Sequence, residues 1–151
     1  SAPITKEHIE KVRGFLRQII EELAYRAKIH DSSKLVDPEK SAYDELTPIA
    51  REVESEFGYG SPQYSRMTKE YSHVYRLHFE ANRHHPEHFE NGINGMTLVD
   101  VVEMFCDWMA ASRRFGKSLN IELNKERYGM SDQLAKIFEN TLKELAGKAD
   151  E

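Results

Sequence analysis

The sequence predicts an all-α fold, a compact bundle of five to seven helices, and three observations carry that expectation. Apolar residues recur at intervals of three and four along most of the chain. No segment sustains a period of two, and Gly and Pro fall between the periodic runs rather than in hairpins. At 151 residues, with 39% hydrophobic and 31% charged residues, the chain has enough apolar material for one core and enough charge to coat it. A single domain over 1–151 is therefore expected.

The elements follow in order. A first helix is expected from Thr5 or Lys6 to about His30, where Ile9, Val12, Leu16, Ile19, Ile20, Leu23 and Ala27 read as one buried stripe. Residues 1–4 before it are expected to be a disordered tail or an expression remnant. Asp31 to Pro38 reads as a turn, then a cap with proline at the first helical position. The second helix carries Ala42, Leu46, Ile49, Val53 and Phe57; Pro48 inside it predicts a kink, or a break capped by Thr47. A loop from Gly58 to Pro62 leads into a polar, aromatic-rich helix reaching Arg83 or His85. Pro86 and the run from Glu90 to Gly95 form a long loop. Thr97 and Asp100 then make a capping-box-like start for a strongly apolar helix from Leu98 to about Phe115. After a linker with room for a short helix, Ser131 caps a last helix through Leu134, Ile137, Phe138, Leu142 and Leu145, ending at Gly147.

Charge and composition exclude several functions. Lys and Arg number 21 against 26 Asp and Glu, a net charge of −5, which argues against a binder of long nucleic acid or of membrane surfaces. No apolar run approaches the ~20 residues of a membrane helix, and no signal-peptide pattern opens the chain. The single cysteine, Cys106, rules out an internal disulfide and suits a reducing compartment. A cytoplasmic protein is expected, and a homo-oligomer is compatible with the sequence.

The informative feature is seven histidines, most of them clustered. His30 and Asp31 close the first helix within His-Asp-Ser-Ser-Lys; His84 and His85 lie in Asn-Arg-His-His-Pro-Glu-His; Asp107 sits in the apolar helix between Phe105 and Trp108. An unpaired carboxylate among apolar side chains costs several kcal/mol, so Asp107 calls for an ion or a salt bridge. Imidazoles and carboxylates together suit divalent ions such as Mn, Co, Ni, Fe or Zn. Asp100, Glu103 and Asp107 share a helical face, which lets Glu103 orient a ligand histidine. On a continuous helix His78 and His85 stand ~10.5 Å apart, so His78 is expected to face substrate or to support a ligand rather than bind the same ion. His73 is expected to be structural, and His88 is left unassigned.

This order of residues resembles the HD superfamily of metal-dependent phosphohydrolases, whose pattern is a His on an early helix, a His-Asp dyad and a later helical Asp. The matching residues are His8, His30, Asp31 and Asp107. Lys34, three residues past the dyad, is similar to the His-Asp-x-x-Lys form of the cyclic-dinucleotide phosphodiesterase branch, and His84-His85 resembles its extra metal-binding pair. The chain departs from that branch in lacking a Gly-Tyr-Pro triplet between Gly92 and Gly95, and in having Ile4 where the branch has a glutamate. The run from His8 to Arg114 also looks like a small bacterial and phage family within or beside the superfamily.

The resemblance implies an HD-like domain holding one or two divalent transition-metal ions. His8, His30, Asp31 and Asp107 would hold one, and His84 and His85, with Asp31 bridging, a second. Asp31 and Lys34 would be the catalytic residues of a phosphohydrolase acting on a small phosphorylated substrate, a nucleotide or other phosphate ester. Arg76, Arg83, Arg113, Arg114 and Lys117 are candidates for holding phosphate, and Tyr43, Tyr71 and Tyr75 for stacking on a base. Two other classes fit the same residues: a dinuclear-iron oxygenase, and a catalytically silent ligand-binding domain.

Overall fold

The computed structural model describes residues 1–114, 116 and 118–149. Among them are seven α-helices, three short 3-10 turns and no strand: α1 (Ala2–Ile29), α2 (Glu39–Phe57), α3 (Pro62–Glu70), α4 (Ser72–Ala81), α5 (Leu98–Arg114), α6 (Ile121–Tyr128) and α7 (Asp132–Ala149). The all-α expectation holds; several details do not.

Helix α1 starts at Ala2, so residues 2–4 are helical rather than a tail. Pro3 sits in the first turn, where its missing N–H costs nothing, and the backbone N–H and hydroxyl of Thr5 both donate to the Ser1 carbonyl at 3.0 Å. The larger difference is burial. Residues 1–22 are all exposed, and α1 has no buried residue, so its apolar stripe is not part of the chain's own core. The helix engages the rest of the protein at its C-terminal end, against α5.

Helix α2 runs unbroken through Pro48. Proline removes one ladder bond there, but Leu46, 1% exposed, and Ile49 pack into an apolar cluster whose burial outweighs the loss. The aromatic-rich segment is two helices, α3 and α4, parted at Tyr71. Helix α4 stops at Ala81, because Asn82 turns extended (φ −128°, ψ 112°), and the histidine pair therefore lies beyond the helix. Thr97 and Asp100 form the reciprocal cap at the start of α5, the Asp100 N–H donating to Thr97 Oγ1 at 3.1 Å and the Thr97 N–H to Asp100 Oδ2 at 2.9 Å. The expected end of that helix, Phe115, lies outside the described residues. Ser131 caps α7 as read, but the helix continues through Gly147.

Two separate apolar clusters result. Leu46, Met67 and Val74 hold α2, α3 and α4 together, with Tyr43, Tyr64, Tyr71 and Tyr75 around them. Met104, Phe105, Ile121, Met130, Ala135 and Phe138 hold α5, α6 and α7, with Phe105 stacked on Phe138. Polar side chains from the end of α1, the start of α2, the end of α4 and the middle of α5 meet in a third cluster, which belongs to neither.

Candidate metal centre

The centre begins where α1 ends. The His30 N–H still bonds the Arg26 carbonyl at 2.8 Å, but His30 leaves helical geometry at ψ 125° and Asp31 adopts the left-handed region at φ 54°. Asp is one of the few non-glycine residues that tolerate that conformation. The reversal brings the two neighbouring side chains together, His30 Nε2 lying 3.7 Å from Asp31 Oδ1. Asp31 Oδ2 accepts from Lys34 Nζ at 3.0 Å, which leaves Oδ1 for the cluster.

Beyond α4, the turn at Asn82 swings His84 and His85 back towards His78. The ring centres of His78 and His85 are 4.8 Å apart, and those of His84 and His85 4.2 Å. Asn82 fixes the turn by donating to the Ser33 hydroxyl at 2.8 Å and the His78 carbonyl at 2.9 Å. The expectation that His78 and His85 stand too far apart is thus overturned, since it assumed a helix continuous to His85.

Nε2 atoms and carboxylate oxygens converge. Asp31 Oδ1 lies 3.3 Å from His78 Nε2 and 3.4 Å from His84 Nε2. Asp107 lies 3.6 Å from His30 Nε2 and 3.8 Å from His84 Nε2. Among the described residues, Asp31, His78, His84 and His85 form one group whose donor atoms all lie within 4.8 Å, and His30, His84 and Asp107 form another. Asp31 Oδ1, His84 Nε2 and His85 Nε2 are buried without a hydrogen-bond partner. Orphaned buried polar atoms are costly, and separations of this size suit donors placed ~2.0–2.2 Å from a shared cation. These residues fit a metal ion.

The other ring nitrogens are pinned. Glu103 Oε2 lies 2.8 Å from both His30 Nδ1 and His84 Nδ1, and the buried Glu39 bonds His78 Nδ1. A carboxylate accepts only, so each Nδ1 carries a proton and each Nε2 is aimed at the cluster. Glu103 is itself held by Arg26 Nη1 at 3.0 Å. The same nitrogen reaches Asp100 Oδ1 at 2.8 Å, and Arg83 forks onto both Asp100 oxygens at 3.3 and 3.1 Å.

The charges respond to one another. Neighbouring Asp107 and then Glu103 push His30 up to about 10. Burial and the adjoining His84 and His78 push His85 down to about 3, leaving it a neutral imidazole with a free lone pair. Burial would raise the Asp31 carboxyl, yet His78, His84 and Lys34 hold it well below the carboxylate range. Glu103 is likewise held low against burial by His30, His84 and Arg26.

The structure brings His30, Asp31, His84, His85 and Asp107 together, with Glu103 behind them and Lys34 beside them. It does not bring His8. His8 and His30 lie near opposite ends of the same helix, 22 residues and roughly 33 Å apart at 1.5 Å per residue. Arg83 is tied to Asp100, and Arg114 bonds Glu54 at 3.2 Å. Arg76 is exposed on α4, two positions from His78 and so on the opposite side of the helix. Lys117 lies outside the described residues. His73 is exposed, and His88 Nδ1 bonds the Phe79 carbonyl at 2.8 Å. Tyr71 and Tyr75 pack in the α2–α4 cluster; Tyr43 lies edge-on to His78, with Lys34 4.9 Å above its ring.

Sequence reasoning missed Glu39, Asn82 and Arg26. Glu39 had a signal: it stands three and four residues before Ala42 and Tyr43, on the apolar face of α2, where a lone carboxylate needs a partner. Asn82 and Arg26 had none, since both roles depend on the tertiary turn.

A family model described as a family of unknown function (DUF5662) matches residues 2–144. No curated protein and no solved structure matches the chain.

Proposed function

Starting from the chain's membership of DUF5662, we propose that it is a metal-dependent phosphohydrolase of small phosphate esters, nucleotides among them. The observation that carries this reading is the convergence of four histidines and two aspartates, with three of the rings fixed through Nδ1 by carboxylates. The resemblance to the HD superfamily supports it in altered form. His30, Asp31 and Asp107 keep their implied roles, and His84 takes the place left by His8.

His30, His84 and Asp107 would hold one ion, and Asp31, His78 and His85 complete the donor set. An imidazole offers a single lone pair, so His84 serves one ion only; Asp31 is the residue able to bridge two. A bound divalent ion supplies Lewis acidity, lowering the pKa of water and polarising a phosphoryl oxygen. Lys34 Nζ, held 3.0 Å from Asp31 Oδ2, sets a positive charge at the edge of the centre, suited to a phosphate oxygen. Glu103 and Glu39 keep the rings from rotating as substrate enters.

Elemental analysis of the purified chain, coupled to a screen of nucleotides and simple phosphate esters for phosphate release, tests the reading. Bound Mn, Co, Ni, Zn or Fe with turnover lost in Asp31→Asn is expected. An iron pair with oxygen consumption and no phosphate release would point to the oxygenase class, and metal-free inert protein would remove the enzyme reading.

A further inference from the structure

The exposed stripe of α1 has no explanation in the metal centre. Ile9, Val12, Leu16, Ile19 and Leu23 follow at intervals of three, four, three and four, the spacing of a coiled-coil seam. Ile9, Val12, Leu16 and Ile19 are 39–54% exposed, and Phe15 and Ile20 beside them 68% and 61%. We propose that two copies of this chain associate through α1, packing this seam against its counterpart.

Three observations favour a second copy as occupant. The six side chains from Ile9 to Ile20 offer on the order of 600 Å² of apolar surface per chain, approaching the ~800 Å² each partner buries in a stable interface. A patch of that size lies at the upper end of what monomers expose, where patches are often functional. An identical helix is matched to the seam in length and spacing by construction, every layer being apolar against apolar whether the helices run parallel or antiparallel. The polar face argues against a lipid surface. It carries Glu7, Glu10, Glu21 and Glu22 among its Lys and Arg residues, and Glu7 and Glu10 are paired within the helix to Lys11 and Arg13. Membrane-lying helices are instead rich in Lys and Arg on that face. The inference does not rest on the metal reading, since among the described residues α1 meets the centre at its far end, through Arg26 and the His30 turn.

Sedimentation velocity over a micromolar dilution series tests it, with circular dichroism and metal content as folding controls. Wild type should sediment as a dimer of the 17.5 kDa chain. Leu16→Glu combined with Ile19→Lys should sediment as a monomer, and the milder Leu16→Ala should weaken dimerisation roughly tenfold or more. A monomeric wild type overturns the proposal. So does a folded double variant that stays dimeric, or monomeric wild type that binds phosphatidylserine vesicles.

Discussion

At the scale of single residues, the centre depends on which nitrogen of each histidine is free. Glu103 fixes two rings through one oxygen and Arg26 through the other, so Glu103→Gln sets an NH2 against either both Nδ1–H donors or Arg26. We expect metal affinity to fall ~10–100-fold with the helical spectrum unchanged, read by competition with a chromogenic chelator. Glu39→Gln should weaken binding through His78 alone, and His8→Ala should leave affinity at the wild-type value. Unchanged affinity in both glutamate variants would remove their positioning role. The difference between these residues also shows what the sequence disclosed. Asp107 was legible because a carboxylate on an apolar helix face is costly without a partner, and His30 with Asp31 because adjacent side chains at a helix end can turn towards one point. His8 misled because sequence order says nothing of the ~33 Å that one continuous helix interposes.

At the scale of elements, the centre owes its shape to two helix ends. Helix α1 ends by turning Asp31 left-handed, and α4 ends at Ala81 because Asn82 turns outward and bonds Ser33 and His78. Asn82→Ala removes both bonds and should cost about 1–3 kcal/mol in urea unfolding. It should also weaken metal binding, because the loop with Asp31 and the loop with His84 lose their common tie; a variant with full stability and affinity would show that the turn holds itself. The opposite end of α5 is set by Asp100, fully buried and bonded by Thr97, Arg26 and Arg83. Asp100→Asn should destabilise by ~1–3 kcal/mol, since Arg26 keeps only Glu103 as its carboxylate and the half-exposed Arg83 loses its ion pair. The cap itself was readable from Thr97 and Asp100. The length of α4 was not, because a tertiary hydrogen-bond pattern, rather than a proline or glycine, ends it.

At the scale of the whole molecule, two apolar clusters are joined through polar pairs: His84 to Glu103, Arg83 to Asp100 and Arg114 to Glu54. A cation shared by His30, His84 and Asp107 would stitch the α2–α4 side to α5, and so couple metal binding to the melting of the whole chain. A ligand present at a hundred times its dissociation constant stabilises by ~2.7 kcal/mol, enough to raise Tm by several degrees in a domain of this size. Fold class was legible from period alone, but the division into two clusters was not, because the same apolar spacing serves a core, a second core or the open face of α1. The most direct test of the central claim is the metal content of wild type and His84→Ala, measured side by side by mass spectrometry after equilibration with Mn, Fe, Co, Ni and Zn. Tightly held transition metal in wild type, lost when the histidine common to both donor groups is removed, is the predicted result; equal metal content in the two proteins would contradict the account.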